Sequence, residues 1–194
     1  MSNTDIQAVV GLGNPGDKYE RTRHNVGFWL LDELVRAGGT FKNDSKLMGE
    51  VAQVTLAGKT VRLLKPQTFM NESGQSIRRF ADYFRLKPQQ ILVCHDELDL
   101  PPGVVRFKQG GGHGGHNGLR STIQHCGADF ARLRIGIGHP GHKDAVHGYV
   151  LHKPGRADED AIIKALYEAE RSIGTLIQDG LQKASTELHT ATPR

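Results

Sequence analysis

Residues 6–16 read Ile-Gln-Ala-Val-Val-Gly-Leu-Gly-Asn-Pro-Gly, an apolar run that leads into a glycine-rich turn. Residues 6–12 predict a buried strand. The turn formally matches the Gly-x-Gly-x-x-Gly fingerprint of dinucleotide sites, but that fingerprint requires a helix to begin at once. Residues 17–25 are polar without a helical stripe, and Pro15 restricts Asn14 to extended or turn conformations. We therefore interpret the segment as a tight turn that presents Asn14.

Outward from this strand, strand and helix patterns alternate along the chain. Helical stripes cover residues 26–35, 77–84, 119–125 and 162–176. Strand patterns cover residues 91–94, 104–108 and 131–138, and a hairpin pattern runs over residues 49–64. This alternation is typical of α/β proteins. We expect one domain over residues 1–194, with a twisted mixed β-sheet flanked by helices on both faces.

The connecting segments carry three further expectations. Asn25 is a favourable N-cap for the first helix. Residues 139–147 are predicted to form a polar loop, and the tail from Leu181 to be short and polar. No repeat or linker divides the chain, which favours a single domain.

Composition indicates a soluble globular protein. The chain has 194 residues, of which 37% are hydrophobic and 24% charged. No apolar run approaches the length of a membrane-spanning helix, and residues 1–7 lack the apolar core of a signal peptide. Cys94 and Cys126 do not have the spacing of metal ligands, so we expect a reducing, cytoplasmic location without membrane association.

Positive charge is concentrated in the middle of the chain. Residues 103–156 carry a net charge of +6 and seven of the ten histidines, whereas residues 157–194 carry −3. Such a block favours a polyphosphate or nucleic-acid partner. A solvated basic face without a ligand is the alternative.

The same block contains residues 110–118, Gly-Gly-Gly-His-Gly-Gly-His-Asn-Gly. Glycine at this density lets the backbone approach a ligand closely. His113, His116 and Asn117 would place hydrogen-bonding side chains near the start of a helix. A flexible surface linker is the alternative interpretation, although linkers seldom contain paired histidines.

Several polar residues are predicted near the ends of strands or helices, where α/β proteins form their sites. A histidine with a carboxylate partner is a general-base pair, and His24 and Asp96 could fill these roles. Amide side chains and the N–H groups of a glycine-rich turn can stabilise an oxyanion. Because the sequence has no Gly-x-Ser-x-Gly motif, direct attack by activated water is the simplest hydrolytic scheme. The candidate set is Asn14, His24, Asn25, Asn71, Asp96, His116 and Asn117.

Two other interpretations remain open from the residues alone. Each of these side chains could serve an ordinary turn. Alternatively, His113 and His116 could bind zinc together with His95, Asp96 or Asp99, although His-x-x-His in a glycine-rich loop lacks the rigid spacing of zinc hydrolases.

Taken together, six segments closely resemble bacterial-type peptidyl-tRNA hydrolases. They occur in the order found in that family and are specific in combination. They are Gly-Leu-Gly-Asn-Pro-Gly (11–16), Thr-Arg-His-Asn-Val-Gly (22–27), Thr-Phe-Met-Asn-Glu-Ser-Gly (68–74), His-Asp-Glu-Leu-Asp (95–99), residues 110–119 and Arg-Leu-Arg-Ile-Gly-Ile-Gly-His-Pro-Gly (132–141).

The resemblance implies a metal-independent, cofactor-free esterase that cleaves the bond between a peptide and the 3′ ribose of tRNA. In the family, the residue matching His24 is the catalytic base and the one matching Asp96 stabilises its basic form. The residue matching Asn14 helps to distinguish peptidyl-tRNA from aminoacyl-tRNA. Those matching Asn71 and Asn117 bind substrate and position the attacked carbonyl or water.

The resemblance also implies which residues hold the acceptor end of the tRNA, with its 3′ CCA and 5′-phosphate. Tyr19, Phe69 and His116 match positions that line the catalytic cleft. Lys108 and Arg134 match the basic pair that holds the 5′-phosphate, and Arg106 extends that patch. Members of the family are usually cytoplasmic monomers. A non-catalytic RNA-binding module and a zinc hydrolase remain the alternatives from other functional classes.

Overall fold

Apolar strands form the centre of the structure, a computed structural model that describes residues 5–194. Residues 1–4, the start of the segment in which we expect no signal peptide, lie outside the described residues. Residues 5–194 contain seven strands in one sheet, of order β2-β3-β4-β1-β5-β7-β6. The strands are β1 (Ala8–Gly11), β2 (Lys42–Asp44), β3 (Gly49–Leu56), β4 (Lys59–Pro66), β5 (Ile91–Glu97), β6 (Val105–Gln109) and β7 (Ala131–Gly136).

The sheet is mixed, as expected from the sequence. β1 lies between β4 and β5 and is parallel to both, and β5 is parallel to β7. β3 and β4 form the predicted hairpin, while β2 and β6 add antiparallel edge strands. The central strands are buried on both faces, which agrees with their continuous apolar sequences.

Helices cover both faces of the sheet, which confirms the predicted fold class. Helices α1, α5 and α6 pack on one face, and α2 and α3 on the other. A short helix, α4, precedes α5. None of the helices within residues 5–194 is long and apolar enough to cross a bilayer. The helices are α1 (Val26–Val35), α2 (Ser73–Tyr83), α3 (Asn117–Cys126), α4 (Val146–Val150), α5 (Arg156–Asp179) and α6 (Leu181–Ala191).

The expectations for two connecting segments are wrong. Residues 139–147 are not a simple loop, because a 3₁₀ turn at Lys143–Ala145 leads directly into α4. The tail from Leu181 is a helix that buries Ala184 and Leu188 against the core. Its two apolar anchors, four residues apart, lie in a mostly polar segment whose apolar periodicity is too weak to predict a helix.

We predict that Leu188→Ala lowers the free energy of unfolding by about 2–5 kcal/mol, because Leu188 is fully buried and its truncation leaves a cavity. Urea denaturation followed by circular dichroism measures the effect. Gln182→Ala, at an exposed position of the same helix, is the matched control and is expected to change stability by less than about 0.5 kcal/mol. Equal stabilities for the two variants would show that α6 is not part of the cooperative core.

Candidate active site

The start of α1 lies unusually close to the carboxyl ends of β1 and β5. A Cβ atom placed on Gly27 would lie 2.6 Å from the carbonyl oxygen of Cys94, and one on Gly11 would lie 2.5 Å from that of Gly27. Only glycine permits this backbone approach at the two positions. The contact brings the 3₁₀ turn Arg23–Asn25, which precedes α1, beside the end of β5.

At this junction one buried carboxylate binds two histidines. The Nδ1 of His24 lies 2.8 Å from Oδ2 of Asp96, and the Nε2 of His116 lies 2.7 Å from Oδ1. Asp96 was expected to follow its strand, but β5 continues to Glu97, so the carboxylate projects from the strand itself. The predicted pairing of His24 with Asp96 is therefore present in the structure, and His116 is a second partner of the same carboxylate.

The proton positions of these histidines follow from their partners. The Nδ1 of His116 accepts hydrogen bonds from the backbone N–H groups of Gly118 and Leu119 and so caps α3. Nδ1 therefore carries no proton, and Nε2 donates to Asp96. Since Asp96 also accepts from Nδ1 of His24, the remaining ring nitrogen of His24, Nε2, is left as a proton acceptor.

Electrostatics favour the same arrangement. Burial raises the pKa of the Asp96 carboxyl, but the charges and hydrogen bonds of His24 and His116 more than offset it, so this pKa lies well below its ordinary range. Burial lowers the pKa of His24, but the charge of Asp96 and its hydrogen bond outweigh burial, so the net pKa is raised above 6.5. The ionised carboxylate thus stabilises the imidazolium that forms when Nε2 of His24 accepts a proton.

Asn14 is held in one orientation by two neighbours. Its Oδ1 accepts a hydrogen bond of 2.7 Å from the backbone N–H of Met70. Its backbone N–H and carbonyl bind the side-chain amide of Asn25, each at 2.9 Å. Asn25 was expected to cap α1, but its side chain makes these contacts instead and no capping bond. The result leaves Nδ2 of Asn14 as a free donor.

These groups lie in one cleft of about 1030 Å³. Asn25 and Arg106 do not line this cleft, but the other ten of the twelve candidate residues do. They are Asn14, Tyr19, His24, Phe69, Asn71, Asp96, Lys108, His116, Asn117 and Arg134.

Comparison with known proteins shows the family of the chain. The family model described as peptidyl-tRNA hydrolase matches residues 8–194. The chain belongs to the peptidyl-tRNA hydrolase family. It is 53% identical over 190 residues to a peptidyl-tRNA hydrolase of Haemophilus influenzae, covering 96% of this chain and 98% of the relative. It is likewise 53% identical over 188 residues to that of Vibrio parahaemolyticus, covering 95% and 96%.

Solved structures agree with the sequence comparisons. The crystal structure of peptidyl-tRNA hydrolase from Acinetobacter baumannii superimposes with a TM-score of 0.95 at 45% identity, and the match covers all of both chains. The fold and the order of the elements are therefore those of a peptidyl-tRNA hydrolase.

Within this hydrolase fold, the cationic side chains differ in their availability. Lys108 is exposed at the cleft. Arg134 also reaches the cleft, but its Nε donates to Glu97 at 2.8 Å. Arg106 does not line the cleft. Its Nη1 donates to the carbonyl and hydroxyl oxygens of Thr192, at 2.7 and 2.8 Å, beyond the end of α6.

Arg132 is a site residue to which sequence reasoning assigned no role. It is almost fully buried, and its guanidinium donates to the carbonyl oxygens of Gly111 and Gly112, both at 2.5 Å, and of Ala128 at 3.2 Å. It therefore ties the glycine-rich segment to β7. Its spacing of two from Arg134 along β7 places both on one face of the strand, but no sequence signal indicates backbone carbonyls as its partners.

The ligands expected for a zinc site do not lie together, because the ring nitrogens of His113 are not near those of His116 and the carboxylate of Asp96. In the part of the chain that the structure describes, the group with metal-ligand spacing is His24, Asp96 and His116, without His113. Both carboxylate oxygens of Asp96 already accept histidine N–H groups at hydrogen-bond distance. His113 instead accepts from the backbone N–H of Gly115 and so stabilises its own loop.

His95 also departs from the role of a ligand. Its Nδ1 donates to the backbone carbonyl of Asp96. Burial, together with repulsion from His116, lowers the pKa of His95 to about 4, so the ring is neutral near pH 7. It packs edge-on against His116, with ring centroids 5.3 Å apart, and so supports the second partner of Asp96.

We predict that Asp96→Asn lowers the pKa of His24, because removal of the carboxylate charge leaves burial as the dominant influence. NMR titration of the imidazole measures the pKa. Asp99→Asn, at an exposed position on the same cleft, is the matched control and is expected to leave it nearly unchanged. An unshifted pKa in Asp96→Asn would contradict the assigned pairing.

Proposed function

We propose that this chain hydrolyses the ester of peptidyl-tRNA by general-base activation of water, with His24 as the base. Peptidyl-tRNA hydrolase activity follows from the family. The observation that supports the mechanism is the orientation of His24, whose Nδ1 binds Asp96 while Nε2 remains an acceptor on the cleft. Release of the peptide frees the tRNA for another round of aminoacylation.

The catalytic steps require few groups. Nε2 of His24 takes a proton from water as the water oxygen attacks the ester carbonyl. The resulting imidazolium is stabilised by the ionised Asp96, which His116 holds from its other oxygen. Collapse of the tetrahedral intermediate breaks the bond to the 3′ ribose oxygen, and the imidazolium returns the proton to that oxygen. The products are a peptide with a free carboxyl group and a tRNA with a free 3′-terminal ribose hydroxyl group.

Asn14 is suited to recognise a blocked amino group. Its Nδ2 is the free donor, since Oδ1 is committed to Met70. An N-acylated residue offers an amide carbonyl that this donor can bind. An unblocked aminoacyl-tRNA offers a charged ammonium group instead. This group finds no acceptor at Asn14, because Oδ1 is bonded to Met70, and it is repelled by the Nδ2 donor. Discrimination against aminoacyl-tRNA thus follows from the fixed orientation of one amide.

Asn71 and Asn117 provide further amides on the cleft. Oδ1 of Asn117 accepts from Arg120 at 2.7 Å, which leaves its Nδ2 as a donor for the carbonyl oxygen or the attacking water. The exposed ring of Phe69 and the half-buried Tyr19 supply apolar walls for the terminal adenosine and the last amino acid.

Lys108 and Arg134 are proposed to bind the 5′-phosphate at the acceptor end. Phosphate contacts carry little sequence information, which suits an enzyme that accepts every tRNA. Arg134 remains ion-paired with Glu97, so Lys108 carries most of the available charge. Arg106 is directed at Thr192, and we expect it to contribute less than Lys108.

We also propose a cytoplasmic monomer. Cys94 and Cys126 are free thiols, as expected in a reducing compartment. The large apolar side chains exposed among residues 5–194 are Phe69, Tyr83 and Tyr167, and they lie on different elements. Such scattered residues do not form the apolar patch of a stable dimer.

We predict that His24→Ala lowers kcat for N-acetyl-aminoacyl-tRNA by about 10²–10⁴-fold, the usual contribution of a general base, while tRNA affinity stays near that of the wild type. Release of the N-acetyl amino acid, measured with and without EDTA, gives the rate, and unblocked aminoacyl-tRNA is the negative control. Near-normal turnover of the variant would exclude His24 as the base. A metal hydrolase would be favoured if the wild type lost activity in EDTA and zinc restored it. An RNA-binding module would be favoured if the wild type bound tRNA without turnover.

We predict that Lys108→Ala raises KM more than it lowers kcat and reduces the slope of log affinity against log salt by about one, because one phosphate contact is lost. Arg106→Ala, on the same strand, is the matched control and is expected to leave the slope nearly unchanged. Equal slopes for Lys108→Ala and the wild type would count against the phosphate contact.

A further inference from the structure

A second cavity, of about 480 Å³, borders the catalytic cleft. Asn14 lines both cavities, and the remaining walls of the second one come from different residues. We call it the acidic groove and define it by Asn14, Glu20, Trp29, Glu50 and Tyr167. Its walls come from the turn after β1, from α1, from β3 and β4, and from the first half of α5.

The groove has an excess of negative charge. Its two basic residues are already paired, Arg21 with Glu159 at 2.7 Å and Lys65 with Asp32. Three other carboxylates on its walls make no ion pair within residues 5–194. They are Asp17, Glu20 and Glu50. The electrostatic character of the groove is thus opposite to that of the basic strands that border the cleft.

Aromatic and polar features indicate that the groove accepts a chain. Tyr167 is 51% exposed on its wall and offers an aromatic surface to a ligand. The indole of Trp29 donates to the carbonyl oxygen of Glu20 at 2.8 Å, which orients its ring on the same wall. The Asn14 residue is only 7% exposed, and its Nδ2 makes no hydrogen bond among the described residues, so a donor is available where the two cavities meet.

We propose that the acidic groove binds the peptide portion of peptidyl-tRNA upstream of its ester-linked residue, with a preference for lysine and arginine side chains. The inference rests on the proposed function, because it takes His24 as the point of ester cleavage and Asn14 as the contact to the first amide. The tRNA leaves the cleft on the side of Lys108 and Arg134. The peptide needs another exit, and the cavity that shares Asn14 provides it.

Charge gives the groove its selectivity. Cationic side chains two or three residues before the ester would lie near Glu20 and Glu50, and acidic ones would be repelled. Partly exposed pairs contribute modestly, so two substrate charges should change kcat/KM on the order of tenfold between lysine and glutamate. The aromatic walls of Trp29 and Tyr167 can contact the aliphatic parts of lysine or arginine.

The first experiment compares three tRNA substrates that end in the same alanyl ester. N-acetyl-Lys-Lys-Ala-tRNA and N-acetyl-Glu-Glu-Ala-tRNA reach the groove, whereas N-acetyl-Ala-tRNA ends before it and reports catalysis alone. We expect the wild type to prefer the lysine substrate about tenfold in kcat/KM. The Glu20→Gln/Glu50→Gln variant should lose most of that preference.

A matched variant separates local from overall charge. Asp82→Asn/Asp179→Asn removes the same number of charges at exposed positions outside both cavities and should keep the preference. If the wild type does not prefer the lysine substrate, or if all three proteins prefer it equally, peptide binding in the acidic groove is overturned. Turnover of N-acetyl-Ala-tRNA in the same experiment would still support the hydrolase. Absence of turnover on all substrates overturns the proposed function and this inference with it.

A binding measurement tests the groove without catalysis. Trp29 is the only tryptophan of the chain, so its fluorescence reports events on the groove wall. Titration with the product peptide N-acetyl-Lys-Lys-Ala should change the emission at lower concentration than N-acetyl-Glu-Glu-Ala. Indistinguishable titrations, or no change with either peptide, would contradict peptide binding in the groove.

Discussion

The site depends on one buried carboxylate that accepts hydrogen bonds from two histidines. Asp96 holds His24 at 2.8 Å and His116 at 2.7 Å, and both bonds leave the carboxylate ionised despite its burial. An unpaired charge at this position would be strongly destabilising, so the three side chains are stable only together. Because His116 also caps α3, the His24–Asp96 pair is coupled to a helix start, and the orientation of His24 is determined by the fold rather than by its own turn.

Backbone contacts make this arrangement possible. Gly11 and Gly27 let α1 begin against the ends of β1 and β5, which brings Asp96 within reach of His24. On the other side of the cleft, Arg132 ties the glycine-rich segment to β7 through backbone carbonyls. The segment can thus combine positive φ angles, which glycine tolerates, with a defined position for the histidine and asparagine that follow it.

Much of the fold could be predicted from the sequence, because strands and helices that bury many residues show a clear apolar pattern. The bounds of α1 and the β3–β4 hairpin were close to those observed, and the predicted stripe over residues 162–176 lies within α5. Elements anchored by few apolar residues were missed. α4 has one buried residue, Val150, and α6 has two, so tertiary packing rather than pattern stabilises them.

The sequence by itself determined the fold class, the candidate base and carboxylate, and the family resemblance that the comparisons confirm. It did so because residue types, apolar periods and motif order are local properties. Only the tertiary structure decided which partner each polar group binds. Asn25 holds Asn14 instead of capping a helix, Arg106 turns to Thr192, and His116 shares Asp96 with His24. These pairings join residues from 11 to 86 positions apart, and a hydrogen bond at such separation depends on backbone placement, which no local pattern encodes.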